Sequence, residues 1–504
     1  MTYRPPAVQY LLLAALILAI AGDMLLRVEP WGLNVPILTL LLFAGIGTLS
    51  HLLHDPLPIE AWLIAGLGLL TGICFSWRDA PNLMGFNFLA VIASIHLVTA
   101  RKHARELPHM TFLDHLFHVF AQVVHLSVGP IFLLLRDLRA GTTEGAQRRS
   151  RGRQVWIGIA LTVPALLLFG SLLTSADATF EYLITDFFRI DVWTIVGHAA
   201  LIAFLSWIGG GWLRGRFLAT ETASLPVIFP KKLSLGVTEL AILLGSLDLL
   251  FGLFVALQIP HFFGGHEAIL GTPSLTYASY ARRGFFELIA VAALGLPLLL
   301  FADWLFHGEN AREQRLVRAL SGIMIALLGV MLASAMHRLS LYMEAYGLTA
   351  ARVNAAAILI WITLALVLFC VTVFRGKRQM LPSAIVVSGY MVLLGLNAVN
   401  PDALVARVNM ARMSADGTFD PKYTFRLGAD AVPVMLDAIP AMTPEHRSGM
   451  ATHLLSSYAG VDTVQDFRSW NAARAAATSL VRAREAELRS YLLPSGAAGA
   501  ANNR

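Results

Sequence analysis

Charge is scarce in this chain: Asp, Glu, Lys and Arg supply 14% of its 504 residues, against about 25% in an ordinary soluble domain. That deficit argues against a water-soluble globule and points to lipid. Cysteine is nearly missing. The two present, Cys74 and Cys370, lie far apart inside apolar runs, which excludes a disulfide framework and metal-ligand spacing; such thiols pack as small apolar groups. The chain also lacks a Walker A loop, a Rossmann fingerprint, a G-x-S-x-G elbow and an H-E-x-x-H pair. ATP-driven transport within this chain and common nucleophilic hydrolysis are therefore not expected, and no cofactor or metal is called for. The two halves show no alignable repeat, so an inverted-repeat transporter is unsupported.

What the chain does have is apolar length. Hydrophobic residues make up 57% of it, gathered into runs of the roughly 20 residues that cross a bilayer. These runs predict about eleven spans: Val8–Leu26, Leu33–Leu53, Ile59–Phe75, Leu83–Ala100, Val155–Thr174, Val192–Leu213, Leu235–Ile259, Phe285–Phe306, Leu316–Met336, Val353–Phe374 and Pro382–Val399. Trp31, Trp77, Trp193, Trp212 and Trp304 sit near their ends, as interfacial aromatics do. The first run also resembles a secretory signal, with a cleavage-like Ala19-Ile20-Ala21. Its continuation through Met24, Leu25 and Leu26 favours an uncleaved anchor.

The expected class is an all-α polytopic bundle in a bacterial cytoplasmic membrane. Its parts are a four-span region (1–100), a basic cytoplasmic segment (101–153), a seven-span core (154–399) and a helical extramembrane tail (400–504), disordered after about 494. The net charge of +6 serves orientation rather than a nucleic-acid partner. With the amino end inside and alternating spans, twenty of the 38 Lys and Arg fall in inner segments, seven in outer loops and eleven in the tail. This is the bias of a cytoplasmic side, and it places the tail outside. Thr111–Leu135 is long enough to cross, but carries Asp114, His115, His118, Gln122, His125 and Pro130. If it crossed, nine basic loop residues would lie inside and eighteen outside, so it reads as an interfacial or re-entrant helix. His118, Gln122 and His125 share a helical face, more simply a polar stripe than a metal site.

In the tail, Thr443-Pro444-Glu445 has the form of a helix start, and Asp462 with Gln465 resembles a capping box. Phe467, Trp470, Ala477, Leu480, Val481, Leu488 and Tyr491 recur at helical spacing.

Polar motifs collect on the predicted outer side: Gly32-Leu33-Asn34, Arg78-Asp79-Ala80-Pro81, Ser175-Ala176-Asp177, Tyr280 to Gly284, Arg338 to Arg352, and Asn400-Pro401-Asp402. Arg282 and Arg283 open a helix, where a cation needs a compensating anion. Arg282, Arg283, Arg338 and Arg352 are thus candidates for holding a phosphate or carboxylate, with Glu287, Glu344, Asp402 and Asp177 as supporting acids. The plainer alternative is a set of arginine–carboxylate pairs that clamps span ends and docks the tail. Inside the bilayer, Asp248 lies mid-span, where a charge costs at least about 3 kcal/mol unless paired, protonated or wet. It is read either as a relay residue, with His198 as its partner, or as a packing aspartate.

Three blocks carry a family resemblance: Thr276 to Leu288 with Gln258 and Phe263-Gly264-Gly265; Arg338 to Tyr342, Tyr346 to Thr349 and Arg352; and Asn397, Asn400-Pro401-Asp402, Ala406-Arg407 and Asn409. Together they resemble the bacterial multi-pass membrane family called domain of unknown function four-one-seven-three, most strongly from about Ser175 to Arg412. That resemblance implies an integral membrane protein and supplies no reaction. The leading expectation is a non-enzymatic binder, receptor or assembly factor. Its partners would be membrane lipids and an anionic envelope ligand or protein at the outer face. The rivals are a secondary transporter coupled through Asp248, and an enzyme on a lipid-linked substrate with Glu287 or Asp177 as general acid or base.

Overall fold

In hydrocarbon every backbone N–H and C=O must find a partner within the protein, and a helix closes nearly all of them internally. The computed structural model follows that rule. It describes residues 5–99, 126–133, 192–218, 235–263, 285–306, 310–377, 380–416, 420–460 and 466–492, with four single positions between 162 and 176. Ten long helices fall on ten of the predicted spans: α1 (Pro5–Leu26), α2 (Asn34–Leu52), α3 (Ile59–Trp77), α4 (Pro81–Thr99), α5 (Val192–Phe217), α6 (Val237–Phe263), α7 (Phe285–Leu305), α8 (Ala311–Tyr346), α9 (Ala350–Val373) and α10 (Leu381–Val399). Among the described residues, nine of them are long and apolar enough to cross a membrane, and α7 adds 21 residues of the same character. Of the span predicted at Val155–Thr174, only three single positions are described, all helical, and the rest lies outside the described residues, as do His118, Gln122 and His125.

Ion pairs and hydrogen bonds sort the helix ends into two groups. At one end, the tail meets α1 through Arg468 and the Met24 carbonyl, α2 through Leu33 N–H and Trp470 O at 2.9 Å, and α3 through Asn471 and Phe75 O at 2.8 Å. His198 against Asp23 at 2.5 Å puts the start of α5 at this same tail end. At the far end, Arg216 pairs with Asp55, Trp212 donates to Thr99 at 2.7 Å and Leu235 N–H to Leu305 O at 3.1 Å. The alternation is consistent throughout. Thr99 and Val192 lie at opposite ends, as an eleven-span threading requires. Of the ambiguous 111–135 stretch, residues 126–133 are described. They are helical and run beside the second half of α5, with Trp207 donating to Ser127 O at 3.1 Å and Arg214 over the Phe132 ring.

Two apolar cores hold the bundle. Val8, Leu11, Ala15, Phe43, Ile46 and Leu213 join α1, α2 and α5. Leu240, Leu244, Met324, Leu328, Leu366 and Phe369 join α6, α8 and α9. Helix α10 ties the two together: Asn397 and Asn87 exchange amide hydrogen bonds at 2.9 and 3.0 Å, and Tyr390 donates to Ala90 O at 2.6 Å.

The tail forms a helical unit of α11 (Pro401–Asp416), α12 (Pro421–Thr424), α13 (Val432–Ala438), α14 (Pro444–Leu454), α15 (Ala472–Ala483) and α16 (Glu485–Ser490). Its own core includes Val405, Met435, Leu436, Met450, Leu454 and Val481. Thr443 caps α14 as predicted; the Asp462–Gln465 box lies outside the described residues. The predicted helical stripe from Phe467 holds only in part. Ala477, Val481 and Leu488 are buried, whereas Phe467 and Trp470 are 67% and 49% exposed. The cause is local: residues 467–469 form a 3₁₀ turn, and α15 starts only after Asn471, whose side chain accepts from Arg474 N–H.

Candidate functional site

The tail-end surface is built from short motifs that end and restart helices. Pro81 opens α4 four residues after Trp77 closes α3, which leaves Arg78 and Asp79 in the turn. Asn400 ends α10 in a left-handed conformation, φ 57°, tolerated by asparagine's short polar side chain. Pro401 then starts α11, with Asp402 in its first turn, where the macrodipole favours an acid.

These turns converge on the loop carrying Gly428, Ala429 and Asp430. Asp430, 7% exposed, accepts from Arg78 Nη1 at 3.1 Å, Asp79 N–H at 2.6 Å and Asn400 Nδ2 at 3.1 Å. Asp79 accepts from Ala429 N–H at 3.2 Å and faces Arg474 at 3.6 Å. Asp402 accepts from Gly428 N–H at 2.7 Å. Arg78 also donates to Asn397 O at 2.8 Å and lies 4.0 Å from the Trp77 ring centre. Asn471 donates to both Phe75 O and Arg78 O at 2.8 Å. Three carboxylates and two guanidiniums thus sit between bundle and tail.

The balance is not neutral in its protonation. Burial, reinforced by the negative charges of Asp430 and Asp79, pushes Asp402 up to about 6 against the lowering effect of the Gly428 N–H. Burial likewise raises Asp79, although Arg474 and the Ala429 N–H oppose it. An acid raised in the folded state favours its neutral form there. The docked state therefore loses stability as pH climbs from about 4 to about 6, by roughly 3 kcal/mol for a shift of this size at Asp402. Thermal unfolding in detergent should show a higher Tm at pH 5 than at pH 7.5, with the gap narrowed in Asp402→Asn. An equal gap in wild type and variant would remove Asp402 from this role.

A second cluster lies beside the first. Gly347 (φ 75°) ends α8, and Asn409 of α11 brackets the turn, accepting from Leu348 N–H at 2.8 Å and donating to Leu348 O at 2.9 Å. Arg352 bonds the carbonyls of Tyr346 (3.1 Å) and Gly347 through Nη1 and covers the Tyr342 ring at 4.1 Å. Arg412 reaches the carbonyls of Met343, Glu344 and Ala345. Both cations therefore complement the negative end of the α8 dipole. Arg338 is half-buried and lies one turn before Tyr342, on the same helix face.

The sequence candidates divide accordingly. Asp402 is buried in the docking cluster; Arg338 and Arg352 flank Tyr342; Glu344 contributes its carbonyl to Arg412, and Glu287 is exposed in the first turn of α7. Arg282, Arg283 and Asp177 lie outside the described residues. Asp248 is 8% exposed, and among the described residues neither carboxylate oxygen has a hydrogen-bond partner. Its expected partner His198 is engaged elsewhere, with Asp23, which also accepts from Arg27 at 2.7 Å. The two helices do not bring Asp248 and His198 together as a pair. Sequence reading missed Asp430, Asn471 and Arg474, which carry much of the docking. Only the Asn471 cap before an alanine-rich run offered a signal.

Fold and helix content define a multi-pass helical membrane protein with a docked helical tail. Residues 65–438 match the domain of unknown function DUF4153, and the chain belongs to that family. The expectation of a multi-pass membrane family with no assigned activity holds, and its designation is DUF4153 where the motif blocks had suggested four-one-seven-three. No curated protein and no solved structure matches the chain.

Proposed function

We propose that this protein is a binder, receptor or assembly factor of the bacterial cytoplasmic membrane, with its tail end outward and presenting an anion-binding face. The observation that carries this reading is the docking of the tail. A helical unit with its own core is fixed to the ends of α3, α4 and α10 by a buried charge cluster, which gives the membrane domain a rigid extramembrane surface. Arg338 and Arg352 lie at that surface, and among the described residues the bonds of Arg352 use Nη1, so a carboxylate or phosphate would meet the rest of its fork. Arg282 and Arg283 precede, in sequence, α7, which enters the bundle from the same end. The far end, with Arg214, Arg216, Arg312, Arg315, Arg375 and Lys377, faces the cytoplasm in this reading.

The test is native mass spectrometry of the protein purified from its own membrane. An anionic envelope molecule should be retained by the wild type and lost about tenfold in Arg338→Ala combined with Arg282→Ala and Arg283→Ala. Equal retention by the variant would remove the anion site.

A second reading has its own observation: Asp248 is a carboxylate inside a span without a polar partner among the described residues. A transporter coupled through it should lose transport in Asp248→Asn while folding normally, since the amide keeps the shape and removes the exchangeable proton. Undiminished flux in reconstituted vesicles would discard that reading.

A further inference from the structure

On the tail, the turn Phe467–Ser469 and the residue after it leave two large aromatic side chains uncovered, Phe467 and Trp470. Neither belongs to the tail's own core, and an uncovered apolar patch on a folded unit marks a contact surface. Trp470 N–H donates to Phe467 O at 3.1 Å. Residues three apart eclipse in a 3₁₀ turn, so the two rings leave it on one side. Ser469 and Asn471, 4% and 2% exposed, point the other way into the protein.

The spans fix the depth of this turn. Asn471 donates to the carbonyls of Phe75 and Arg78, at 2.8 Å each, which sets it level with Trp77 between them. Leu33 N–H, just before α2, donates to Trp470 O at 2.9 Å, and Arg474 Nη2 donates to Trp31 O at 2.8 Å. Trp77 closes α3 and Trp193 opens α5 at this same end, 44% and 66% exposed. Tryptophans at span ends mark the headgroup level. Trp470 joins that belt from the tail instead of from a span.

Helix α1 fixes the lateral position. Its Leu13, Leu16, Ile17, Ile20 and Met24 are 40–59% exposed and recur at spacings of three and four, one helix face. Helices α2 and α5 pack against the rest of α1, so this face meets lipid. Arg468, between the two aromatics, donates to Met24 O at the tail end of that face. The aromatic side of the turn thus continues the lipid-facing surface. Charge plays no part in the contact: Arg468 Nε lies 2.9 Å from both carboxylate oxygens of Asp466, which leaves the turn neutral.

We propose that Phe467 and Trp470 insert into the headgroup layer of the leaflet on the tail's side, so that the partner of this surface is the bilayer itself. The rings lie at the boundary of headgroups and acyl chains, and the Trp470 indole N–H finds a headgroup or water oxygen. The tail is then held on two sides at one point: Asn471 ties it to the end of α3, and its neighbours tie it to lipid. This rests on the depth of the turn, not on which side of the membrane the tail occupies.

The test uses the full chain with Phe467→Cys, labelled with bimane and placed in phosphatidylcholine nanodiscs; the unsubstituted protein gives the background from Cys74 and Cys370. A lipid nitroxide high on the acyl chain should quench the label at least about twofold more than aqueous iodide, and more than a nitroxide near the chain end, as insertion by about 5–10 Å requires. Adding phosphatidylglycerol should change neither result. If Phe467→Cys does not fold, Trp470→Cys, which keeps the backbone bonds to Phe467 and Leu33, takes its place with the same expectation. Strong iodide quenching with none from the lipid would put the turn in water. Protection from both quenchers would mean protein cover, from a second copy or another chain. Lipid quenching only with phosphatidylglycerol present would mean attraction by charge. Each of these three results would overturn the insertion.

Discussion

Asp430→Ala is expected to free the tail from the bundle while leaving the spans folded. One carboxylate with little exposure takes three donors: the Arg78 guanidinium, the Asp79 backbone N–H and the Asn400 amide. Truncation removes both acceptor oxygens, and with them all three bonds, and leaves Arg78, 13% exposed at its side chain, without its counter-ion. Breaking a buried pair from one side costs about 3–5 kcal/mol, unlike an exposed pair, where the cost is typically under about 1 kcal/mol. Limited proteolysis reads the outcome. Trypsin should cut between bundle and tail in the variant at concentrations that spare the wild type. Asp430→Asn, which keeps an acceptor oxygen but not the charge, should fall between the two. Identical digestion of Asp430→Ala and wild type would mean that the docking rests on apolar contacts alone.

Gly428→Ala should be as damaging for a steric reason. The backbone at Gly428 is extended, with φ −71° and ψ −177°, a conformation any residue adopts, so conformational freedom is not what glycine supplies here. An added Cβ would land on the carbonyl oxygen of Asp79 and within 2.7 Å of its carbon. Backbone cannot swing aside as a side chain does. The loop must withdraw, and with it go the hydrogen bonds from Gly428 N–H to Asp402 and from Ala429 N–H to Asp79. A cost of about 3 kcal/mol or more follows from overpacking together with stranded donors. Gly449, in α14 of the same tail, is the control: its Cβ would meet only Phe425 Cζ, at 3.9 Å. Gly449→Ala should shift Tm by no more than a degree or two, whereas Gly428→Ala should lower it by several degrees. Equal shifts would show that the close approach at Asp79 does not matter.

The membrane helices were legible in the sequence because lipid demands long uninterrupted apolar runs, and α1 to α10 follow those runs closely. The turns were legible too: Arg78-Asp79-Ala80-Pro81 and Asn400-Pro401-Asp402 stand at helix boundaries because proline opens the next helix. Their partners were not. Arg78 and Asp430 are 352 residues apart, and nothing in the local pattern of either specifies the other. The same limit explains His198, which a helical reading assigned to Asp248 but which meets Asp23 because α5 packs along α1. Phe467 and Trp470 fit a helical period numerically. The tie of Asn471 to the end of α3 delays the helix and leaves both aromatics exposed beside α1. Of the two outer-face readings, arginine–carboxylate clamping describes what Arg78 and Arg474 do, while the proposed anion site rests on Arg338, Arg352 and the residues preceding α7.

Sidedness underlies every functional statement, and impermeant thiol labelling tests it directly. Ser456 is exposed on the tail and Ala311 at the far end of α8, while Cys74 is buried and Cys370 half-buried within their spans. In intact cells, a membrane-impermeant maleimide should label Ser456→Cys fully and Ala311→Cys only after permeabilisation. Labelling of Ala311→Cys in intact cells with Ser456→Cys protected would place the tail in the cytosol and contradict the outward anion-binding face.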